Sequence, residues 1–385
     1  MTGDDGLLVG VALDGTGWHP ASWREDAARP AELLTAGYWA ALARSAEAAG
    51  LDFLTLEDQL ALQSSRAAAH DGRVDLVRGR LDAVMIAAVV APLTERIALI
   101  PSVTVTHTEP FHISKAIATL DHVSLGRAGV RVQVSGRPHE AAHFGRRDDL
   151  DADELFAEAA DHVEVVRRLW DSWEDDAEIR DVATGRFVDR DKLHYIDFEG
   201  PWFAVKGPSI TPRPPQGQPP VVALAHSSVP YRFAARHADL VLVTPQDEGD
   251  ARRILVEVAE CAAGRDVRVL ADVVVFLGGS AAEAEDRKER LDERFGHRYR
   301  SDALIYTGTP AGLADVVEAW SAAGMDGFRF RPGCLPGDLE SIGAGLVPLL
   351  RQRSLLPTTP RPGTLRERVG WSRPANRYAG GMAAR

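Results

Sequence analysis

The feature that most constrains this chain is its alternation between short apolar segments and longer segments with helical periodicity. Such alternation is typical of βαβ units, in which helices join the parallel strands of one sheet. Eight apolar segments are predicted as strands, at residues 7–13, 53–56, 97–105, 128–134, 221–225, 240–243, 268–277 and 327–330. Because no GxGxxG turn follows the first strand, they favour a closed (β/α)8 TIM barrel over an open sheet.

Helical patterns fill most of the intervals between these strands. They are predicted at residues 36–49, 81–90, 113–124, 152–173, 250–263, 281–295, 310–323 and 338–352. Two segments differ: residues 174–217 have no clean period, and the residues from 355 onward are rich in Pro, Gly and Arg. We therefore expect one barrel over residues 1–354, with an insertion after the fourth unit at 174–217. An extended tail, residues 355–385, would pack on this barrel.

Composition excludes several classes of partner. Lys and Arg number 44 and Asp and Glu number 56, which gives a formal net charge of −12. A chain this acidic is repelled by phosphate, so we expect no binding to nucleic acid or to an anionic membrane. No apolar run approaches the roughly 20 residues that span a bilayer, and the first residues do not resemble a signal peptide. We expect a soluble cytoplasmic protein in which Cys261 and Cys334 are free thiols.

In a barrel of this kind, the active site lies at the carboxyl ends of the strands. Asp58 follows the second strand, where its carboxylate would either accept a hydrogen bond from a ligand or cap the next segment. Ser102 and Thr104 lie on one face at the end of the third strand. Their hydroxyls suit the carbonyl and N–H groups of a planar heterocycle, although alternating threonine is also ordinary in a half-exposed strand.

Further polar residues follow the fourth and fifth strands. Arg131 lies in the fourth strand, and His139 beyond it would either line a pocket or lie on the surface. His139 and His143 have no third ligand at a suitable spacing, so no metal site is predicted. After the fifth strand, His226 precedes Ser227 and Ser228 at a predicted helix N-terminus. Hydroxyls and backbone N–H groups there suit a phosphate, although Ser228 would also serve as a plain N-cap.

Several motifs together resemble a known family. They are WHP at 18–20, AIATLDHVS at 116–124, GRAG at 126–129, LWDSW at 169–173, RPPQG at 213–217, FAARHAD at 233–239 and RPANRY at 373–378. The set is similar to the bacterial-luciferase-like flavin-dependent monooxygenases. Within them it resembles the branch that contains the nitrilotriacetate, pristinamycin and dibenzothiophene-sulfone monooxygenases. The likeness runs through nearly the whole chain.

This resemblance implies an FMN-dependent two-component monooxygenase. A separate NAD(P)H:flavin reductase would supply reduced FMN, and the barrel enzyme, expected to be a homodimer, would use it with O2 to oxygenate a small-molecule substrate. Carried over by position, Asp58 would bond to the flavin, Ser102 or Thr104 would lie near its ring, and Ser227 would hold the phosphate. The substrate pocket would contain His107, Thr108, His139 and Phe156.

The chain also departs from the family pattern at positions near the flavin. Val130 and Arg131 replace Trp and Asn, Ala152 and Phe156 replace His and Tyr, Thr108 replaces Asn, and His226 replaces Gly. One hypothesis is a retuned pocket in which Arg131 and His226 supply new donors to the cofactor. A second is a non-catalytic or flavin-poor partner subunit of a heteromer. A third is an oxidoreductase that uses the deazaflavin F420.

Overall fold

The computed structural model describes residues 6–64, 71–145 and 151–380. Its centre is a closed barrel of eight parallel strands, which we number β1 to β8. They are β1 Leu8–Leu13, β2 Phe53–Leu56, β3 Ala98–Thr104, β4 Val130–Gln133, β5 Val221–Leu224, β6 Leu240–Val243, β7 Arg268–Leu277 and β8 Gly327–Pro332. Each strand pairs with its neighbours in chain order, and β8 pairs with β1 to close the ring. The predicted TIM barrel is confirmed.

Helices surround the barrel. They are α1 Ala36–Ala49, α2 Ala83–Val90, α3 Pro110–Val123, α4 Pro138–Phe144, α5 Ala152–Asp171, α6 Ser228–His237, α7 Glu248–Ala262, α8 Ala281–Phe295, α9 Pro310–Ala323, α10 Gly337–Ser341, α11 Val347–Gln352 and α12 Leu365–Arg368. The bounds of α1, α8 and α9 match the prediction to the residue. No helix in the described part of the chain is long and apolar enough to cross a membrane.

The last predicted helix, residues 338–352, is helical throughout, but it contains an interruption that was not predicted. The structure divides it into α10 and α11, with one π-helical turn, Ile342–Leu346, between them. Gly343 and Gly345 lie in this turn, and a Cβ on either would come within 2.8 Å of Ala49 or 2.6 Å of Pro310. The turn therefore brings backbone against two neighbouring helices, a tertiary requirement that helical periodicity does not reveal.

Four further features were not predicted. Helix α12 lies within the tail that was expected to be extended, and its N-terminus is stabilised by a capping box between Thr364 and Glu367. Residues 174–217 contain two short hairpins, Glu178–Asp181 with Arg186–Val188 and Phe198–Glu199 with Ala204–Val205. An additional strand, Leu304–Gly308, pairs with the outer half of β7. Helix α4 follows β4. All are short, and most of their residues are not fully buried, so their apolar patterning is weak.

The lower half of the barrel interior is apolar. Inward-facing residues from alternate strand positions, including Phe53, Ile100 and Leu242, form one buried cluster. Gly10 makes room for the ring of Phe53, which lies 2.4 Å from the position that a Cβ would take. Leu365 and Val369 from the C-terminal segment belong to the same cluster and seal the barrel from below. Each fully buried side chain of this size contributes roughly 1.5–3 kcal/mol to stability.

The end of the barrel at the amino ends of the strands, here called the base, is held by polar side chains from the family motifs. Asp121 accepts hydrogen bonds from the backbone of Ala128 and from both the backbone and side chain of Gln216, at 2.6–3.2 Å. Arg127 donates to the carbonyls of residues 91, 94, 97 and 124 at 2.7–3.0 Å. These residues fix the α3–β4 connection and join it to the segment before β5.

The C-terminal segment is bound to the same end of the molecule. Arg213 pairs with Asp171 and Asp175, each at 2.9 Å, and also donates to the carbonyl of Pro374. Asn376 donates to the carbonyls of Asp171 and Trp173, both at 2.8 Å. The motifs at 169–173, 213–217 and 373–378, which are far apart in sequence, therefore form one hydrogen-bonded structure. Cys261 and Cys334 are both free thiols, as predicted.

Candidate active site

The upper half of the barrel interior carries charge. Arg329 and Arg331, two positions apart on β8, both pair with Asp272 of β7, with Nε to carboxylate distances of 2.8 Å. Arg329 also reaches Glu57 at 2.9 Å, and Arg131 of β4 reaches the other oxygen of Glu57 at 2.5 Å. Charged groups taken out of water are tolerated only when they are paired in this way. We call these five residues the barrel ion cluster.

Glu57 is ionised within the ion cluster. Burial alone would raise the pKa of Glu57, but the neighbouring guanidinium groups of Arg131, Arg329 and Arg331 lower it to about 2. Asp272 and the three arginines are at most 3 % exposed. The cluster therefore forms a charged layer between the apolar lower barrel and the carboxyl ends of the strands, here called the mouth.

A cavity of about 330 Å³ lies at the mouth, with Glu57 and Arg131 among its lining residues. Its walls include the aromatic rings of Phe156 and Phe233, whose centroids are 5.4 Å apart, and the amide of Gln133. A second cavity of about 250 Å³ adjoins it. The two share Asp14, Trp18, Gln59, Arg80 and Arg137. Volumes and linings of this kind are typical of small-molecule sites at the mouth of a barrel enzyme.

Three residues that line the second cavity carry buried polar atoms without a hydrogen-bond partner in the described structure. They are the indole Nε1 of Trp18, Oε1 of Gln63 and Nδ1 of His139. Buried polar groups in native proteins are nearly always bonded, so an unpartnered set at one cavity needs a specific explanation. The three atoms are themselves shielded from solvent, and other buried atoms of the described structure, such as Nη2 of Arg368 and Oε1 of Gln218, also lack a partner.

Several predicted site residues meet at these cavities. Asp58, Arg131, His226 and Phe156 line the larger cavity, and His139 lines the smaller one. Both oxygens of Asp58 are already occupied, one by the backbone N–H of Gln59 at 2.7 Å and the other by that of Ala83 at 3.0 Å. Asp58 thus supports the start of α2 while it faces the cavity.

Other predicted residues lie behind or beside the cavities. Ser102 accepts a hydrogen bond from Nε of Arg131 at 2.9 Å, and Thr104 lies 3.4 Å from the amide of Gln133. These two hydroxyls position cavity-lining side chains. His107 stacks on Phe144, with ring centroids 4.7 Å apart, and the hydroxyl of Thr108 donates to the carbonyl of Thr104. Contact of these four residues with a ligand stays a prediction.

The predicted phosphate cradle lies at the rim. Ser227 is the exposed N-cap of α6, and its side chain makes no capping hydrogen bond. Ser228, the first residue of α6, bonds to the carboxylate of Glu257 at 2.7 Å. The helix N-terminus favours an anion, whereas Glu257 opposes one. Across the described residues, no three His, Cys, Asp or Glu side chains are grouped to hold a metal.

Sequence reasoning missed most of the barrel ion cluster. Of its five residues only Arg131 was a predicted site residue, and Glu57, Asp272, Arg329 and Arg331 were not predicted. A signal was present, because Asp272 interrupts an apolar ten-residue strand, and the two arginines of β8 are spaced two residues apart. Charged side chains at alternate positions of a buried strand lie on one face, and when that face is inside the barrel they require oppositely charged partners there.

A polar cavity at the carboxyl ends of the strands is typical of (β/α)8-barrel enzymes. Comparison with known proteins identifies the family. The family model for luciferase-like monooxygenases matches residues 19–304. The N-acetyl-S-(2-succino)cysteine monooxygenase of Bacillus subtilis (strain 168) is 30% identical, with 97% of this chain and 98% of that protein covered. The nitrilotriacetate monooxygenase component A of Aminobacter aminovorans is 29% identical, with coverage of 97% and 98%.

The crystal structure of a riboflavin lyase with modified FMN and substrate riboflavin superposes with a TM-score of 0.87. The two chains are 25% identical, and the match covers 96% of this chain and 97% of that one. The chain therefore belongs to the luciferase-like monooxygenases, and it is a flavin-dependent monooxygenase. The family and branch expected from the motifs are confirmed.

Proposed function

We propose that the protein is a reduced-FMN-dependent monooxygenase that oxygenates a small polar organic molecule with O2, and that a separate NAD(P)H:flavin reductase supplies its flavin. The observation that supports this most strongly is the pair of adjoining cavities at the mouth, one lined by Arg131 and the other by Trp18, Gln63 and His139. We assign the larger cavity to the flavin and the smaller one to the substrate.

The residues of the larger cavity fit a flavin ring. A flat heterocycle needs apolar walls, which Phe156 and Phe233 provide, and donors and acceptors at its edge, which Gln59, Gln133 and Arg131 provide. Ser102 and Thr104 would hold Arg131 and Gln133 in place from behind, while Asp58 would face the ring. The phosphate would lie at the rim against His226 and the N-terminus of α6, with Ser227 beside it and Ser228 held by Glu257.

The chemistry divides between the cofactor and the chain. When bound, reduced FMN activates O2 for transfer of one oxygen atom to the substrate. The barrel supplies a water-poor site, because the apolar lower interior and the ion cluster close the cavity from below. Trp18, Gln63 and His139, which line the smaller cavity, would contact the substrate there.

The test is an anaerobic titration of the purified protein with photoreduced FMN, followed by mixing with O2. We expect saturable binding, and a flavin absorbance change on mixing that differs in rate and spectrum from that of free FMN. Absence of binding at every accessible concentration would overturn the proposal and favour a flavin-poor partner subunit. Preference for F420 over FMN would overturn it in favour of a deazaflavin oxidoreductase.

We further propose a homodimer formed through α2. Met85, Val89 and Leu93 lie on one side of α2 and the turn after it, and they are 62%, 40% and 40% exposed. Exposed apolar side chains in a continuous stripe are typical of an interface between chains. Sedimentation should show a dimer for the wild type and a monomer for Val89→Glu, whereas a monomeric wild type would contradict the proposal.

A further inference from the structure

Arg131 is held in one orientation by its neighbours. Nε donates to Ser102 at 2.9 Å, and Nη2 donates to Glu57 at 2.5 Å and to Gln133 at 3.1 Å. A planar guanidinium anchored at two nitrogens has no freedom to turn. The third nitrogen, Nη1, is therefore fixed in direction as well.

Nη1 of Arg131 has no hydrogen-bond acceptor within the described residues. It is also not among the unpartnered nitrogens that are fully shielded from solvent, which include Nε of Arg287 and of Arg351. The side chain is only 4% exposed, and it lines the larger cavity. A buried cation that is paired at two nitrogens and reaches a cavity with the third is arranged to bind an anionic group there.

Arg131 has only a share in one carboxylate of the ion cluster. Asp272 pairs with Arg329 and Arg331, and Asp302 also pairs with Arg331 at 2.7 Å. Glu57, which lines the larger cavity and is 8% exposed, is shared between Arg131 and Arg329. Burial lowers the pKa of Arg131 and Glu57 opposes this, but a guanidinium stays charged at neutral pH in either case.

We propose that Arg131 binds the pyrimidine edge of the flavin, at N1 and the C2 carbonyl, and thereby selects the anionic reduced form over the neutral oxidised form. The inference rests on the proposed function and adds a cofactor-tuning residue to it. A positive charge beside N1 stabilises the negative charge that reduction places there. Such a preference suits a two-component enzyme, because the reductase delivers reduced FMN and oxidised FMN must dissociate after the reaction.

The test compares the dissociation constants of reduced and oxidised FMN for the wild type, Arg131→Met and Arg131→Lys. A hydrogen bond to a charged group contributes roughly 1.5–3 kcal/mol, so Arg131→Met should reduce the preference for reduced FMN by about tenfold or more. Tenfold corresponds to about 30 mV in the potential of the bound two-electron couple, which a dye-linked titration measures independently. Arg131→Lys should retain most of the preference.

The matched control is Arg331→Met, which removes a buried arginine of the same cluster that lines neither cavity. It should change the preference by less than about threefold, because its charge is not in contact with the ligand. If Arg131→Met does not fold, Arg131→Gln, which keeps an amide donor for Glu57, gives the same measurement. An unchanged preference in a folded Arg131 variant that still binds FMN would overturn this inference alone. A wild type that binds neither form would overturn the proposed function as well.

Discussion

The polar side chains at the base and at the mouth of the barrel differ in whether their atoms have hydrogen-bond partners within the chain. At the base, the motif residues Asp121, Arg127 and Arg213 bond to partners within the chain through every nitrogen or oxygen of their charged groups. At the mouth, Trp18 and His139 keep unpartnered atoms beside a cavity. These three motif residues at the base are fully bonded, although Nη2 of Arg368 and Oε1 of Gln218 nearby also lack a partner among the described residues.

This difference explains why the family was recognisable while the site was not. The motifs at 116–129, 213–217 and 373–378 lie at the base, where they hold α3, the insertion and the C-terminal segment together. The departures from the family pattern, such as Arg131 and His226, lie at the mouth. These base motifs therefore report architecture, whereas the motif WHP at 18–20, whose Trp18 lines both cavities, lies at the mouth with the departures.

The largest expected effect is on the free energy of unfolding, when an arginine is replaced by methionine at the base and, for comparison, at the mouth. Arg127→Met leaves several buried carbonyls without a donor, and it should lower the free energy of unfolding by about 3 kcal/mol or more. Arg137→Met removes a guanidinium that is 45% exposed at the mouth and should cost less than about 1 kcal/mol. Urea denaturation measures both values. Equal losses would contradict the distinction between base and mouth.

The second prediction concerns pH. Burial raises the pKa of Asp121 to about 6, although hydrogen bonds from Gln216 and Ala128 lower it in part. The folded protein then holds a proton on this carboxyl that the unfolded chain releases between about pH 4 and pH 6. Stability from this group therefore falls as the pH rises through that interval. The difference in unfolding free energy between the wild type and Asp121→Asn should change over this interval, and a constant difference would refute the assignment.

The third prediction concerns an unpartnered atom at the mouth. His139→Phe keeps an aromatic ring and removes Nδ1, so the free energy of unfolding should change by less than about 0.5 kcal/mol. Because a neutral hydrogen bond contributes roughly 0.5–1.5 kcal/mol, KM for the substrate should rise about two- to tenfold while reduced FMN binds as before. A clear loss of stability with unchanged KM would show that His139 is structural.

The smallest expected effect is at the rim. Glu257→Gln removes the negative charge beside Ser228 at the N-terminus of α6, which should strengthen FMN binding about two- to fivefold. Riboflavin, which lacks the phosphate, is the matched ligand and should bind the variant and the wild type equally. Equal strengthening for both ligands would place the phosphate elsewhere.

Much of the fold was predictable from the sequence because burial imposes a period on each element. β2, β6, β7, α1, α8 and α9 match their predicted bounds. The short hairpins of the insertion and the strand Leu304–Gly308 were missed, since few of their residues are buried and the period is weak. The site was predictable only in part. The larger cavity is lined by four of the predicted residues, Asp58, Arg131, His226 and Phe156. Ser102 and Thr104, which were also predicted, lie behind it.

The sequence by itself determined the eight-stranded barrel, the family and the end of the barrel that carries the site, because strand order and periodicity place all carboxyl ends together. Only the tertiary structure decided which polar groups are satisfied. Arg131 and Glu57 are 74 residues apart in sequence and meet at 2.5 Å. A hydrogen bond acts over about 3 Å, and a sequence pattern gives the face of a strand but not the partner across it. The orientation of Arg131 toward the cavity therefore follows from contacts that only the closed barrel creates.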